Sequence, residues 1–313
     1  MSKQDKAPET LLEAVTYFAD ADVAFEFVKS LRWSDGPICP GCDSDSVAQL
    51  STRKTFKCRS CKKQFSIKVG TIFEDSPISL SKWLPAMWLI VNCKNGVSSY
   101  ELARAIKVTQ KTAWFMLHRI RLAMQSDDFM MSGEVEVDET FIGGLARNMH
   151  ADKRRAKIKG TGGMGKTAVL GVLERHGKGG SKVRAGVIAN RKRKTLHGKI
   201  RKTVEPGSEV HTDALASYSG LAPDYTHHVI DHAEEYVRGN VHTNGIENFW
   251  SLLKRGLKGT YVSVEPFHLF RYIDEQAFRF NFRKLDDGGR FLAACSRIIG
   301  RRLTYQQLIG ETV

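Results

Sequence analysis

The chain has 313 residues, 42% of them hydrophobic and 26% charged, which excludes wholesale disorder and leaves room for two or three domains. Its net charge of +14 is uneven: residues 147–203 hold 18 Lys and Arg against two acids, and the remaining residues sum to −2. A local excess of +16 predicts a surface for a polyanion, and nucleic acid is favoured over an anionic membrane surface.

The first ten residues, MSKQDKAPET, lack the apolar core of a secretory signal. The most apolar stretch, residues 83–93, has about half the length that a membrane span needs. We therefore expect a cytoplasmic protein without a membrane partner. In that reducing compartment, six cysteines favour metal binding over disulfides.

Residues 1–35 are expected to form an N-terminal helical segment, and residues 36–76 a zinc ribbon. Four cysteines have the spacing C-x2-C, fifteen residues, C-x2-C, which is typical of a closed tetrahedral zinc site. They are Cys39, Cys42, Cys58 and Cys61. Such a zinc ion is structural, because it supplies folding free energy that a short, core-poor segment lacks. Reduced cysteines without a metal are the alternative.

Residues 77–128 predict a pair of helices resembling a helix-turn-helix. Ser98 and Glu101 form a capping box for the first helix, and Thr109 is the expected N-cap of the second, which runs to about Met124. The exposed first turn of the second helix is where recognition helices meet bases. Its residues are Gln110, Lys111 and Thr112. A plain helical hairpin that packs against its neighbours is the alternative.

Residues 160–167, GTGGMGKT, match the pattern of a phosphate-binding loop. Such a loop needs a buried strand before it and a helix after it, so that backbone amides face the phosphates. Here a basic run precedes the match and a strand-like sequence follows it. We therefore interpret it as a basic loop that contacts a phosphate backbone, in preference to an ATP site.

Residues 132–285 predict a mixed α/β domain, which makes the whole chain an α+β multidomain protein. Strands are expected near residues 134–144, 167–173, 182–188, 209–213 and 228–230. A short helix is expected at 196–204, and a long one from 244 to about 258. The helical spacing gives the long helix an apolar stripe of Ile246, Phe249, Trp250, Leu253 and Leu257. Three strands, a helix, two strands and a final helix is the order of a ribonuclease-H-like sheet.

Three acids in this domain are candidate ligands for divalent ions: Asp138, Asp213 and Glu247. Mg²⁺ prefers one or two carboxylates and completes its shell with water and phosphate oxygens. Two such ions roughly 4 Å apart can serve phosphodiester chemistry. Acids that merely lie at strand ends are the alternative. Within the basic region, Lys192, Arg193 and Lys194 are expected to bind DNA backbone, with a steep salt dependence.

These motifs resemble one group of bacterial insertion-sequence transposases. CPGC, CRSCKKQFS and VGTIF are similar to that group's zinc ribbon, which precedes its catalytic core. VDETFIGG around Asp138, HTD ending at Asp213 and NGIENFWSLLKR around Glu247 look like its DDE catalytic core. FHLFRYIDE and FRFN match its closing helix. The resemblance covers about residues 15–285, and residues 286–313 are expected to be a C-terminal tail.

The resemblance implies a metal-dependent DNA transposase that binds terminal inverted repeats, cleaves the element's ends and joins the 3′ hydroxyls to target DNA. Asp138, Asp213 and Glu247 would hold two Mg²⁺ or Mn²⁺ ions, and Lys254 would contact a phosphate near the cut. The partner is double-stranded DNA, on which the enzyme acts as a homo-oligomer that pairs two ends within the nucleoid. A non-catalytic zinc-ribbon regulator, or a ribonuclease-H-like nuclease that cuts without joining, are the alternatives.

Overall fold

The structure is a computed structural model that describes residues 7–50, 53–125, 129–144, 150–157, 165–175, 180–230 and 243–311. It divides into two compact units. The first comprises Met1–Gln125 and Leu285–Val313, and the second comprises Ser126–Lys284. Among the described residues, no helix combines the length and the apolar character that a bilayer crossing requires.

The first unit is mainly helical and contains a small antiparallel sheet. Helices α1 (Leu11–Ala19) and α2 (Ala21–Arg32) precede the sheet, whose strands are β1 (Val47–Leu50), β2 (Thr55–Cys58) and β3 (Gln64–Ser66) in that order. Three helices follow: α3 (Leu80–Asn92), α4 (Ser99–Ile106) and α5 (Gln110–Ala123).

The helix pair α4–α5 has the ends that its capping residues predict. The Ser98 hydroxyl accepts from the Glu101 N–H at 3.2 Å, and the Glu101 carboxylate accepts from the Ser98 N–H at 2.8 Å. Lys107, in the left-handed region at φ 52°, ends α4. Thr109 Oγ1 then accepts from the Thr112 N–H at 3.2 Å and starts α5. The two helices are therefore joined by a short turn, as in a helix-turn-helix.

The second unit has a five-stranded sheet with helices on both faces. In chain order its elements are β4 (Glu134–Ile142), α6 (Ala151–Lys157), β5 (Thr167–Glu174), β6 (Lys182–Ile188), α7 (Arg193–Arg201), β7 (Glu209–Asp213), β8 (Thr226–Ile230), α8 (Asn244–Gly256) and α9 (Leu269–Asn281). The spatial order is β6-β5-β4-β7-β8. The pairs β4–β5 and β5–β6 are antiparallel, whereas β4–β7 and β7–β8 are parallel. This is the ribonuclease-H-like sheet that the sequence predicts, and the α+β class is confirmed.

The two faces of this sheet bury different helices. Val135 and Val137 of β4 pack with α7 on one face. The other face receives the apolar stripe of α8 together with α9, and that stripe contains Ile246, Phe249, Trp250, Leu253 and Leu257, as the helical spacing predicts. At the edge, the Asn281 side chain bonds both backbone groups of Val183 on β6, at 2.7 and 2.9 Å. The end of α9 thus covers part of an exposed strand edge.

The apparent phosphate-binding loop is followed by a strand. Thr167 is the first residue of β5, so no helix begins after Gly165 and Lys166. Residues 160–164 of the pattern lie outside the described residues. Without a helix N-terminus the match lacks the amides that would face a phosphate, which agrees with its interpretation as a loop.

The chain ends in the first unit, with helices α10 (Asp287–Cys295) and α11 (Tyr305–Ile309). Ile299 forms an antiparallel bridge with Thr71. The buried Arg119 of α5 donates to the carbonyl oxygens of Leu303 at 3.1 Å and of Glu74 at 2.6 Å. The segment described from sequence as a C-terminal tail therefore packs against α5 and the stretch after the small sheet.

Gly171 allows α8 to lie close to the sheet. A Cβ at this position would lie 2.6 Å from Trp250 Cζ2 and 2.7 Å from Ile246 Cδ1, so α8 would have to move. We predict that Gly171→Ala lowers the free energy of unfolding by about 1–3 kcal/mol, as overpacking does. Gly186→Ala on β6 is the matched control, since nothing lies within 4 Å of its Cβ. Equal urea midpoints for the two variants would contradict this prediction.

Candidate functional site

Two of the three predicted acids lie side by side in the middle of the sheet. On the parallel strands β4 and β7, Glu136 is opposite His211, and Asp138 and Asp213 each follow two residues later. Because side chains alternate along a strand, both acids project from the same face on neighbouring strands. Asp213 Oδ1 accepts from the Leu215 N–H at 3.1 Å, just where β7 ends. The parallel register of β4 and β7 therefore brings this pair together.

Asp138 is mostly buried beneath α8, and its Oδ2 accepts a hydrogen bond from Trp250 Nε1 at 2.9 Å. Burial, followed by the negative charges of Glu139 and Asp213, raises the pKa of Asp138 to about 7 against the opposing effect of the Trp250 bond. Two neighbouring carboxylates, one of them desolvated, form a pair that a divalent cation would stabilise. Oxygen donors in this number are what Mg²⁺ takes from proteins, so the residues fit such an ion.

Glu247, the third predicted acid, lies in the first turn of α8, three residues before Trp250. Its side chain is exposed, and its Oε1 accepts from Thr243 Oγ1 at 3.1 Å. Among the described residues, one group of three or more metal-ligating side chains has its ligand atoms close together, and that group is the four cysteines. The structure therefore assembles Asp138 and Asp213 as a pair and places Glu247 on the helix that covers them.

A buried acid that the sequence analysis did not single out lies on the same face of β4. Glu136 is 1% exposed, and its carboxylate accepts from Arg175 Nε at 2.7 Å and from the Ile246 N–H at 2.8 Å. The available signal was the alternation of acids along β4, because acids on the buried face of a central strand require partners. Trp250 was likewise expected only as a core residue, although its indole N–H reaches the Asp138 carboxylate.

Glu139 faces the opposite side of β4 and connects that strand to the basic region. Its side chain is 3% exposed, accepts from the Tyr218 hydroxyl at 2.5 Å and pairs with Arg191 at 3.0 Å. Burial and the charge of Glu139 raise the pKa of Tyr218, which keeps its hydroxyl protonated as the donor. Arg191 comes directly before the predicted DNA-binding residues Lys192, Arg193 and Lys194, which are exposed at the start of α7.

The other predicted DNA-binding residues occupy two helices. Lys254 is half-buried on α8, seven residues after Glu247, and therefore about two helical turns away. In the first turn of α5, Lys111 is exposed, with its ammonium 5.0 Å from the centre of the Tyr305 ring. Gln110 Nε2 donates to Ser99 Oγ at 2.8 Å. The half-buried Thr112 shares a hydrogen bond of 2.8 Å between its hydroxyl and that of Thr109.

The four cysteine sulfurs form a compact group in the small sheet, with all four within 4.8 Å of one another. Cys39 Sγ lies 3.6 Å from Cys61 Sγ, and Cys42 Sγ lies 3.6 Å from Cys58 Sγ. Tetrahedral zinc with Zn–S bonds of about 2.3 Å separates its sulfurs by about 3.8 Å, which this geometry fits. The Cys61 N–H, 3.4 Å from Cys58 Sγ, is the largest of several contributions that lower the pKa of the Cys58 thiol to about 6. Against a backbone hydrogen bond from Ser44, the other three sulfurs raise the pKa of the Cys42 thiol to about 12.

We predict that the purified protein holds about one zinc ion per chain, as a four-cysteine structural site does. Cys58→Ser should reduce the zinc content well below one, because it removes one of four ligands. Cys93→Ser is the control, since Cys93 lies outside the sulfur group. Elemental analysis after dialysis measures both, and full zinc occupancy in Cys58→Ser would contradict the assignment.

Protonation of Asp138 links stability to pH in buffer without Mg²⁺ or Mn²⁺. The folded-state pKa of about 7 lies above the ordinary value of 3.8, so ionisation of Asp138 destabilises the folded state increasingly as pH rises between these values. Asp138→Asn stays neutral at every pH and should therefore stabilise the protein. We predict that its gain in free energy of unfolding is larger at pH 8 than at pH 5, by roughly 2 kcal/mol. An equal gain in urea titrations at both pH values would show that Asp138 is not desolvated.

Comparisons with known proteins match both units. A family model described as the ISXO2-like transposase domain matches residues 130–281, which include Asp138, Asp213 and Glu247. A second, described as the transposase zinc-ribbon domain, matches residues 19–64, which include the four cysteines. The chain is 29% identical over 245 residues to an uncharacterized protein in transposable element ISH50 of Halobacterium salinarum, a match that covers 75% of this chain and 82% of that protein. The predicted resemblance to insertion-sequence transposases is thereby confirmed.

Proposed function

We propose, from the place of this chain among insertion-sequence transposases with a zinc ribbon and a DDE domain, that it binds the terminal inverted repeats of its element and catalyses metal-dependent cleavage and strand transfer. The observation that carries this proposal is the Asp138–Asp213 pair on adjacent parallel strands of the ribonuclease-H-like sheet. The name of the similar protein, which places it in a transposable element, agrees with this function.

In this proposal Asp138 and Asp213 hold Mg²⁺ or Mn²⁺, and Glu247 joins them by exchanging its bond from Thr243 for a metal ion. Two bound ions supply activation of the attacking oxygen and stabilisation of the leaving oxygen. The Trp250 N–H fixes the Asp138 carboxylate, so this ligand is already oriented before DNA binds. The ring above it also excludes water from that side of the pair.

The cationic side chains divide the binding of double-stranded DNA between them. Lys254 would contact a phosphate near the cut, because it lies on the same helix as Glu247. Lys192, Arg193 and Lys194 would hold the DNA backbone, which makes the affinity steeply dependent on salt. In the first unit, the start of α5 would read bases through Gln110, Lys111 and Thr112. Paired ends require two copies, so the enzyme would act as a homo-oligomer in the nucleoid.

The test uses Asp213→Asn on DNA that carries the inverted repeats flanking the gene. The variant keeps the shape of the side chain but loses its charge, so it should bind the ends with an affinity within about threefold of wild type. It should show neither Mg²⁺-dependent nicking nor strand joining, with a loss of at least about a hundredfold in rate. Asp224→Asn is the matched control: it affects a surface ion pair with Arg201 and should leave the rate unchanged.

Each alternative function gives a different result in the wild-type protein. A regulator would bind the repeats without metal and would not cut them, and a nuclease would cut them without joining the products. Either result contradicts the proposal. Unchanged cleavage by Asp213→Asn would remove Asp213 from the site.

A further inference from the structure

The N-terminus of α8 is capped by a residue of another element. The N-cap residue of α8 is Thr243, but its hydroxyl accepts no hydrogen bond from a backbone amide of the first turn and instead donates to the Glu247 side chain. The first amides of a helix have no partner within the helix and need an acceptor. For the Ile246 N–H that acceptor is the Glu136 carboxylate of β4, at 2.8 Å.

The close approach that this bond requires is built into the sequence of α8. A Cβ on Gly245 would lie 3.0 and 3.1 Å from the two Glu136 carboxylate oxygens and 3.1 Å from Leu173 Cδ2. A side chain at this position would therefore push the first turn away from β4. Glycine permits the contact between backbone and carboxylate, as it does where a backbone approaches a ligand closely.

Glu136 is also held in position by a buried ion pair. Arg175 Nε lies 2.7 Å from its carboxylate, and the two side chains are 3% and 1% exposed. A second arm of the same guanidinium reaches Glu134 at 3.2 Å, where the acid is 42% exposed. Negative charge at the start of a helix is favourable, because the helix dipole is positive there. The buried carboxylate therefore satisfies both the cation and the helix end.

Two hydrogen bonds attach α8 along β4. Glu136 and Asp138 lie on one face of the strand, two residues and about 7 Å apart. Their donors Ile246 and Trp250 are four residues apart on the helix, about 6 Å along its axis. The matching separations hold α8 alongside the strand, and Glu247 lies between the two attached residues. These two bonds determine where Glu247 lies along β4 relative to the Asp138–Asp213 pair. They also determine how Glu247 is oriented about the axis of α8.

We propose that Glu136 is a positioning residue that fixes the first turn of α8 and thereby places Glu247 for its role beside Asp138 and Asp213. The proposal rests on the proposed transposase function, since it assigns Glu247 to the same site. It makes Glu136 necessary for the rate of cleavage and not for DNA binding.

The experiment compares Glu136→Gln with Glu134→Gln in the full-length zinc-bound protein. Both variants remove one negative charge from Arg175, but only Glu136 bonds the helix. In Glu136→Gln we expect hydrogen exchange of the amides at 244–247 to be at least about tenfold faster in zinc-bound protein without Mg²⁺ or Mn²⁺. The cleavage rate at saturating DNA should fall by at least about tenfold, with an unchanged DNA affinity. Glu134→Gln should match wild type in all three measurements.

A double variant, Glu136→Leu with Arg175→Met, guards against loss of folding in the single variant. Replacing both partners of a buried ion pair by apolar residues preserves stability in many proteins, yet it removes the acceptor of the Ile246 N–H. We expect a melting temperature near that of wild type together with the same faster exchange and slower cleavage.

Two results would overturn the proposal. One is wild-type exchange and cleavage in both Glu136 variants. The other is global unfolding of both variants while Glu134→Gln remains folded, which would make Glu136 a determinant of the whole domain. If the wild-type enzyme neither cuts nor joins DNA, the proposed function fails, whereas the exchange measurement still decides whether Glu136 fixes α8.

Discussion

Carboxylates buried under a helix are the constraint on which the second unit depends. The central strand β4 presents Glu136 and Asp138 to the face that α8 covers, and a buried charge without partners would cost several kcal/mol. Glu136 is satisfied by Arg175 and by the helix N-terminus. Asp138 receives one bond from Trp250 and keeps a raised pKa. Glu136 thus has both a cation and a helix amide as partners, whereas the desolvation of Asp138 outweighs its hydrogen bond from Trp250 and raises its pKa.

The first unit is subject to a different constraint, because its small sheet forms little hydrophobic core of its own. The three strands contain eleven residues in total, and a zinc ion held by the four cysteines would stabilise such a short sheet. The buried guanidinium of Arg119 holds the stretch after the sheet, because it donates hydrogen bonds to the backbone carbonyls of Ile72 and Glu74. It also donates to the carbonyl of Leu303. The helix pair and the end of the chain therefore depend on each other.

Local sequence patterns predicted the helices and strands, but they did not predict contacts between residues that are distant in the sequence. The N-cap residues Ser98 and Thr109 predicted where α4 and α5 begin, because a cap acts within one helical turn. Strands β6 and β7 were likewise predicted from alternation and turn residues. By contrast, the pairing of Arg119 with Leu303 spans 184 residues and has no periodic signature.

For the acids of the candidate site, too, local patterns predicted some features, and contacts between distant residues determine the others. Asp138 was predicted on one strand and Asp213 where another ends, and the parallel pairing of β4 with β7 explains why the two acids lie side by side. The role of Glu136 depends on the packing of α8, which sequence spacing does not determine. Trp250 was assigned to the apolar stripe correctly, but an indole has both an apolar ring and an N–H donor, and only packing shows where the donor points.

One residue, Glu139, connects the local excess of positive charge to the strand that carries the acids. Glu139 follows Asp138 on β4, points to the opposite face and pairs with Arg191, which directly precedes Lys192, Arg193 and Lys194. Because Glu139 is almost fully buried, this ion pair is screened less than a surface pair and holds the start of α7 near the central strand. The exposed cations at the start of α7 are thus connected, through Arg191 and Glu139, to the strand that carries Asp138, although they lie on the other face of the sheet.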